Sequence, residues 1–347
     1  MFKRILSLIL SVAVIVFMSA TGFRPTEFLN STLGGEQMGV ATALPAVLPV
    51  PSPAPASAPD PVEVPELSAT AFPLPAAEND RRIPSLRSLE DKDLKERLEK
   101  RLKQDPTWRK LIKNKRLSVG IVDLADDPDD ISYASVNGRH MMYAASLPKI
   151  AVLAAAHDAI ERGDLRESAE VKRDMRLMIA KSNNAATTRM IDRVGFAAIE
   201  RTMTDPDLKL YDPAFGGGLW VGKRYAAGGK RNPDPIKGIS HAATTEQICR
   251  FFYLLNHDQL ISEEASQKMK SYLVDPELHH KFVNVLDRVA PRAKVYRKSG
   301  SWSSFHADVA MVKGPNRDYI ITALVDDPNG EQIIRQLGKV LDEMLKG

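Results

Sequence analysis

The sequence predicts an α+β fold: an antiparallel sheet flanked by N- and C-terminal helices, with a helical region inserted into it. Three observations predict this. Strand-like runs lie near both ends of the globular part, at residues 117–136 and 293–325. Between about 150 and 290 the apolar residues recur mostly with helical spacing. Amphipathic segments at 88–105 and 331–345 bracket the strands. Strands, then helices, then strands and a helix form an α+β arrangement rather than an alternating βαβ one.

The elements follow in order. The chain has 347 residues, 44% hydrophobic and 27% charged, but its first eighty residues stand apart. Lys3 and Arg4 precede an apolar run, Ile5 to Met18, and small residues follow at positions 19–22. This reads as an export signal over residues 1–22. The run is interrupted by Ser7 and Ser11 and is short for a membrane span, which needs about 20 apolar residues. Retained, the same segment would tether the chain to the inner membrane, facing the periplasm. Residues 23–87 form a Pro/Ala-rich disordered linker. Its stretch from Pro45 to Pro75 admits neither a helix nor a central strand and favours an extended, semi-rigid spacer. The expected location is periplasmic or secreted.

The globular domain spans residues 88–347, enough to bury a sizeable core. "SLEDKDLKERLEKRLKQD" opens with a serine cap and early acids, and places Leu94, Leu98 and Leu102 at helical spacing. Leu117 to Val122 and Ile131 to Val136 form a hairpin through the acidic turn "ADDPDD". Residues 145–162 form a helix that stops at Gly163. Helical pattern then continues to about Leu286, with a Gly-rich interruption at 212–240. Strands follow at Ala293–Lys298, Ala307–Val312 and Tyr319–Val325, and a last helix runs from Glu331 to Leu345. Cys249, the only cysteine, lies among Ile248, Phe251 and Phe252 and reads as a small buried hydrophobe. The net charge of +4 becomes +2 without Lys3 and Arg4, which argues for no nucleic-acid partner.

Chemistry concentrates in three short patterns. Ser146 and Lys149 lie three positions apart in "AASLPKIAVL", and no other serine has a lysine at that offset. A serine and a proline also suit an ordinary first turn, so the pair gains weight only from its company. A neutral amine can activate a serine, and at a helix start the serine's own N–H faces a developing oxyanion. A lysine base needs its pKa depressed by burial or by other cations. Lys298, in Lys298-Ser299-Gly300, is the candidate cation. Gly300 would let a substrate backbone approach, and the Ser301 N–H would be a second oxyanion donor. Between these patterns, Ser182 and Asn184 form S-x-N in "AKSNNAATTRM". A second S-x-N, Ser135 to Asn137, precedes the S-x-x-K and sits at a hairpin end, so it is set aside.

S-x-x-K, S-x-N and K-[ST]-G in this order mark penicillin-binding proteins and class A β-lactamases. The sequence resembles that superfamily from about residue 115 onward, most closely the class A β-lactamase-like serine hydrolases. "HAATTEQICRFFYLL" is similar to the family's threonine-capped helix and "ADVAMV" to the strand after K-[ST]-G. The resemblance implies a β-lactamase/transpeptidase-like fold in which Ser146 is acylated and Lys149 takes its proton. It implies that Ser182 relays a proton to the departing nitrogen, with Lys298 supporting the local field. Asn184 would hold the substrate amide, Ser299 the substrate carboxylate with help from His306, and the N–H groups of Ser146 and Ser301 the oxyanion.

One family feature is missing. Class A enzymes carry E-x-x-L-N after S-x-N, and its glutamate serves deacylation. Here the region reads "DPDLKLYDPAFGGGLWVGKRYAAGG", with aspartates and no glutamate. Glu200 falls in a helix, Glu246 reads as a capping-box partner, and Asp212 is the aspartate singled out as a substitute base. The stretch from Ser146 to Ser182 is compact for the family. Gly217 to Lys223 match G-x-x-x-x-G-K, but Arg224 stands where magnesium chemistry needs Ser or Thr, and no apolar strand precedes it. No histidine spacing indicates a metal, and no cofactor is expected. The sequence therefore predicts an exported monomeric serine hydrolase acting on a β-lactam or related amide through an acyl-serine, with slow deacylation. Alternatives are a D-alanyl-D-alanine peptidase acting on peptidoglycan peptides, or a catalytically silent module that senses wall fragments or β-lactams.

Overall fold

In the computed structural model, residues 83–124 and 130–347 are described. The export signal, most of the linker and the hairpin turn lie outside these residues. The elements in chain order begin with α1 (Lys92–Leu102), α2 (Pro106–Lys113), β1 (Leu117–Asp123), β2 (Ser132–Val136) and β3 (Met142–Tyr143). Next come α3 (Lys149–Glu161), α4 (Ala169–Ala180), α5 (Asn184–Val194), α6 (Phe196–Thr204), β4 (Tyr211–Asp212), β5 (Gly217–Gly218), β6 (Trp220–Val221) and β7 (His241–Ala243). The chain ends with α7 (Thr245–Asn256), α8 (Glu263–Leu273), α9 (Phe282–Val289), β8 (Lys294–Trp302), β9 (Phe305–Gly314), β10 (Arg317–Asp326) and α10 (Gly330–Leu345). Among the described residues no helix is long and apolar enough to cross a membrane.

The main sheet is antiparallel, in the order β2-β1-β10-β9-β8, so β8 is an edge. Period-two alternation divides its side chains between two cores. Tyr319, Ile321, Ala323 and Val325 face α1, α9 and α10, whereas Ile320 and Leu324 face the helical region. At the centre of that region lies α3, "KIAVLAAAHDAIE", buried from Lys149 to Ala159. Apolar residues on every side, with alanine at half of the early turns, suit a helix enclosed by its neighbours. The α+β arrangement with an inserted helical region is thus the one expected.

Several boundaries move. Leu86 is buried in the core, so the packed chain begins before Ser88. The cap of α1 is Asp91, whose carboxylate accepts the Leu94 N–H, rather than Ser88. The helix expected from 145 begins only at Lys149, leaving Ser146 in the turn before it. K-S-G lies inside β8 rather than at its end, because the β8–β9 pairing continues to Trp302 and Phe305. Thr244 caps α7 as expected, but by accepting the Gln247 N–H. Glu246 is not its capping partner: it binds Arg87 and Arg139 at 2.6 and 3.0 Å, fastening the segment before α1 to α7. Cys249 is fully buried, as expected.

Candidate active site

Ser146 sits in a tight turn held on three sides. The Ala144 N–H donates to the His241 carbonyl of β7 at 2.8 Å, and the Tyr225 hydroxyl donates to the Ala145 carbonyl at 3.0 Å. The Leu147 N–H closes the turn onto the Ala144 carbonyl. Ala145 has φ +51°, a conformation that non-glycine residues keep only when their surroundings impose it. Gly300 of β8 forms the third side. A Cβ there would lie 2.2 Å from the Ala144 oxygen and 2.6 Å from the Ser146 nitrogen. Gly300 therefore admits the Ser146 turn itself against β8, which the sequence reading had assigned to substrate approach. Among the described residues, none accepts the Ser146 N–H.

Lys149, the first residue of α3, is fully buried. Its Nζ donates to the Ser182 carbonyl at 2.5 Å, to Asn184 Oδ1 at 2.8 Å and to Ser182 Oγ at 3.3 Å. It also lies 4.7 Å from the centre of the Tyr225 ring. Burial lowers its pKa to about 7, so a large share of the amine is neutral at neutral pH. Ser146 Oγ is not among its hydrogen-bond partners here. Ser182 connects α4 to α5 at φ +53°, and its hydroxyl accepts from Lys298 Nζ at 2.9 Å as well. Lys298, also buried, donates to the Ser299 carbonyl at 2.8 Å, and burial followed by the charge of Lys149 pushes its pKa well down. One hydroxyl thus receives hydrogen bonds from two buried amines, and the three groups come from three separate sequence motifs.

The substrate-binding candidates divide. Asn184 joins the cluster through Lys149 and is otherwise exposed. Ser299 contributes its carbonyl, while its residue lines a small crevice with Ile179, Tyr272 and Leu278. The Ser301 hydroxyl lies 3.5 Å from His306 Nδ1, and the His306 ring packs against Gly330 at the start of α10. Burial lowers the His306 pKa.

Sequence reasoning missed several neighbours. Tyr225 carries Lys149 on its face and stacks on His241, with centroids 4.1 Å apart and planes 7° from parallel. His241 is buried with neither ring nitrogen hydrogen-bonded, and burial, then the nearby cations, lowers its pKa to about 3. Lys281 donates to carbonyls of β8 and β9, and Arg297 of β8 pairs with Asp308 of β9. No motif signals these residues, since each is brought in by a loop or a strand register. The G-x-x-x-x-G-K near-match does not form a phosphate loop: Gly217 and Gly218 belong to β5 and Trp220 and Val221 to β6. Two large cavities, about 590 and 780 Å³, are lined by none of the motif residues.

The loop carboxylates are held elsewhere. Asp212 accepts from Arg87 Nη1 and the Ala214 N–H. Asp234 accepts the N–H groups of Ile236, Lys237 and Ile239 and the Tyr211 hydroxyl. Glu200 pairs with the Asn232 amide. Each has a loop-shaping role.

Comparison with known proteins bears on the fold. The chain is similar in fold to a β-lactamase from Sphaerobacter thermophilus, with TM-score 0.53, 17% identity, and 65% of this chain and 89% of that one covered. A β-lactamase from Xanthomonas campestris matches with TM-score 0.56 and 13% identity over 72% and 98%. A point mutant of PBP-A, captured as an acyl-enzyme complex with penicillin G, matches with TM-score 0.52 and 19% identity over 72% and 95%. At these identities the likeness establishes the β-lactamase/transpeptidase-like fold. No curated protein matches in sequence. The model of the beta-lactamase enzyme family matches residues 170–345, half of the chain, including Ser182 and K-S-G but beginning after Ser146. With the fold, the ordered motifs and this match together, the chain belongs to the beta-lactamase enzyme family.

Proposed function

We propose that the protein is an exported serine hydrolase that opens β-lactams or related amides through an acyl-serine at Ser146. The observation that carries this reading is the Ser182 hydroxyl shared by Lys149 and Lys298 beside the Ser146 turn. Ser146 Oγ attacks the amide carbon, the new C–O bond forms, and the carbonyl π electrons move onto oxygen between the N–H groups of Ser146 and Ser301. Lys149 takes the serine proton. Hydrogen bonds at such sites often tighten only with substrate bound, so the present separation of Lys149 from Ser146 is compatible with this role. The C–N bond then breaks, and Ser182 passes its proton to the nitrogen while drawing one from a neighbouring lysine. Asn184 keeps its amide N–H₂ for a substrate carbonyl, and His306 and Ser299 border the expected position of the substrate carboxylate. No cofactor enters any step.

Deacylation is the slow half. The loop holds no glutamate, and Asp212 and Asp234 are both engaged by other donors. A general base contributes about 10²- to 10⁴-fold, so a β-lactam should give a fast burst followed by slow turnover. The same feature favours a second reading, a D-alanyl peptidase for which β-lactams are long-lived inhibitors. A PBP-A relative trapped as a penicillin acyl-enzyme supports both. Intact-mass measurement after penicillin treatment should give one adduct, lost in Ser146→Ala; an adduct retained by that variant sinks the assignment. Release of D-alanine from a wall peptide separates peptidase from β-lactamase. Residues 1–22 would direct export, which N-terminal sequencing of fractionated cells tests: full-length chain in the cytosol contradicts it.

A further inference from the structure

Behind the edge strand that carries K-S-G lies a third buried lysine. Lys281, at the start of α9, is fully enclosed and stands at φ +55°. Its Nζ donates to the Gly300 carbonyl at 2.5 Å, to Ser301 Oγ at 2.8 Å and to the Ala307 carbonyl at 3.0 Å. Gly300 and Ala307 are register partners on β8 and β9, so the ammonium spans the two strands at one rung. Its backbone is fixed in turn, because the Phe282 N–H donates to Asp308 Oδ2 and Arg297 holds that carboxylate. The three acceptors match the three N–H donors of the ammonium, so its position against β8 and β9 is fixed.

The consequence follows from peptide geometry. The Gly300–Ser301 peptide is trans, so its C=O and N–H point in opposite directions. With the carbonyl drawn toward Lys281 and β9, the Ser301 N–H faces the open edge of β8. A Cβ on Gly300, the residue that carries this carbonyl, would meet the Ser146 nitrogen, so the Ser146 turn packs on this stretch of β8. We infer that Lys281 is a positioning residue: by holding the Gly300 carbonyl it aims and polarises the Ser301 N–H, the second donor to the acyl oxygen. The inference rests on the acyl-serine reading above. Lys281 acts through a peptide group and never touches the substrate. Hydrogen bonding at the carbonyl of a peptide strengthens its N–H as a donor.

The test uses the full chain, with benzylpenicillin as probe, in two proteins: wild type and Lys281→Met. The measurements are the acylation rate constant, the prior noncovalent dissociation constant and the acyl carbonyl stretch of the adduct. Loss of one oxyanion donor costs about 10²- to 10³-fold, and misaiming it should cost Lys281→Met at least about 10-fold in acylation. The dissociation constant should hardly change, and the acyl carbonyl band should move to higher wavenumber. A folded Lys281→Met with wild-type rate and band overturns the inference, as does a loss confined to the dissociation constant. If Lys281→Met does not fold, Lys281→Leu, which also lacks a donor, carries the same test, and a wild-type rate and band in that variant overturn it too. Failure of wild type to form an adduct would instead sink the acyl-serine reading.

Discussion

Arg297 and Lys298 are neighbours on β8, both buried, yet the charges on the two faces of that strand are handled in opposite ways. Arg297 meets Asp308 in a two-pronged pair, at 2.7 and 3.1 Å; its Nη1 donates to the Leu278 carbonyl, and Nη2 donates to the His280 carbonyl as well. Lys298 meets hydroxyl and carbonyl oxygens, and after burial the charge that acts on it most is a second cation, Lys149. On one face the charge is neutralised and serves structure. On the other, two amines are kept short of counter-charge and so near to losing their protons, the condition a lysine base needs. Burial alone does not mark the site; buried cations facing one hydroxyl without a carboxylate do.

The largest effect should come from the unpaired face. Lys149→Met removes the proposed base, and acylation of Ser146 should fall about 10²- to 10⁴-fold. The wild-type acylation rate should rise with pH through about 7, as Lys149 becomes neutral, and this limb should vanish in the variant. The stability sign is the reverse of a salt bridge. Because the folded pKa is lowered, the unfolded chain binds more protons between about 7 and the ordinary lysine value of 10.5, so stability rises with pH across that window. Lys298→Met should likewise impair acylation without lowering the melting temperature. A large loss of stability in either variant would mean that these lysines are structural and would collapse the contrast.

The paired face should respond in stability. Asp308→Asn leaves Arg297 buried without its counter-charge and weakens the acceptor for the Phe282 N–H. Removing one partner of a buried pair costs about 3–5 kcal/mol, to be read as a lower urea midpoint with an unchanged m-value. A variant as stable as wild type would show that the pair is not what secures this face.

The contrast between the faces was only half legible in the sequence. The ordered motifs singled out Ser146, Lys149, Ser182 and Lys298 as candidates, and the structure joins the last three by hydrogen bonds. Strand and helix positions followed from periodicity, with errors at ends such as Ser88 and residue 145, where capping by Asp91 and the tight turn at Ala145 decide the boundary. What stayed hidden depends on register and loops. Asp308 reaches Arg297 only because Ser299 and Asp308 are partners across β8 and β9. Tyr225 and Lys281 arrive from loops without a periodic signal. Glu246 had the right residue type for a capping box, but Arg87, 159 positions away, claims its carboxylate.

The smallest expected effect concerns that same hidden layer of charge pairing. Asp212 was the aspartate singled out to replace the missing glutamate, and the comparison of the two faces argues against it. A base for water must keep a free lone pair beside the acyl group, whereas Asp212 is a paired carboxylate of the Arg297–Asp308 kind, held by Arg87 at 3.0 Å and by the Ala214 N–H at 3.1 Å. Its Arg87 partner also binds Glu246 and lies over the Phe215 ring, so the carboxylate belongs to a packed structural cluster. Asp212→Asn should leave the slow phase of β-lactam turnover within about twofold of wild type. The pair is partly exposed, so its loss should cost no more than about 1 kcal/mol of stability. A deacylation rate that drops about 10²-fold or more in Asp212→Asn, with the burst intact, would make Asp212 the base after all. Pairing would then cease to distinguish the structural carboxylates of this protein from the catalytic ones.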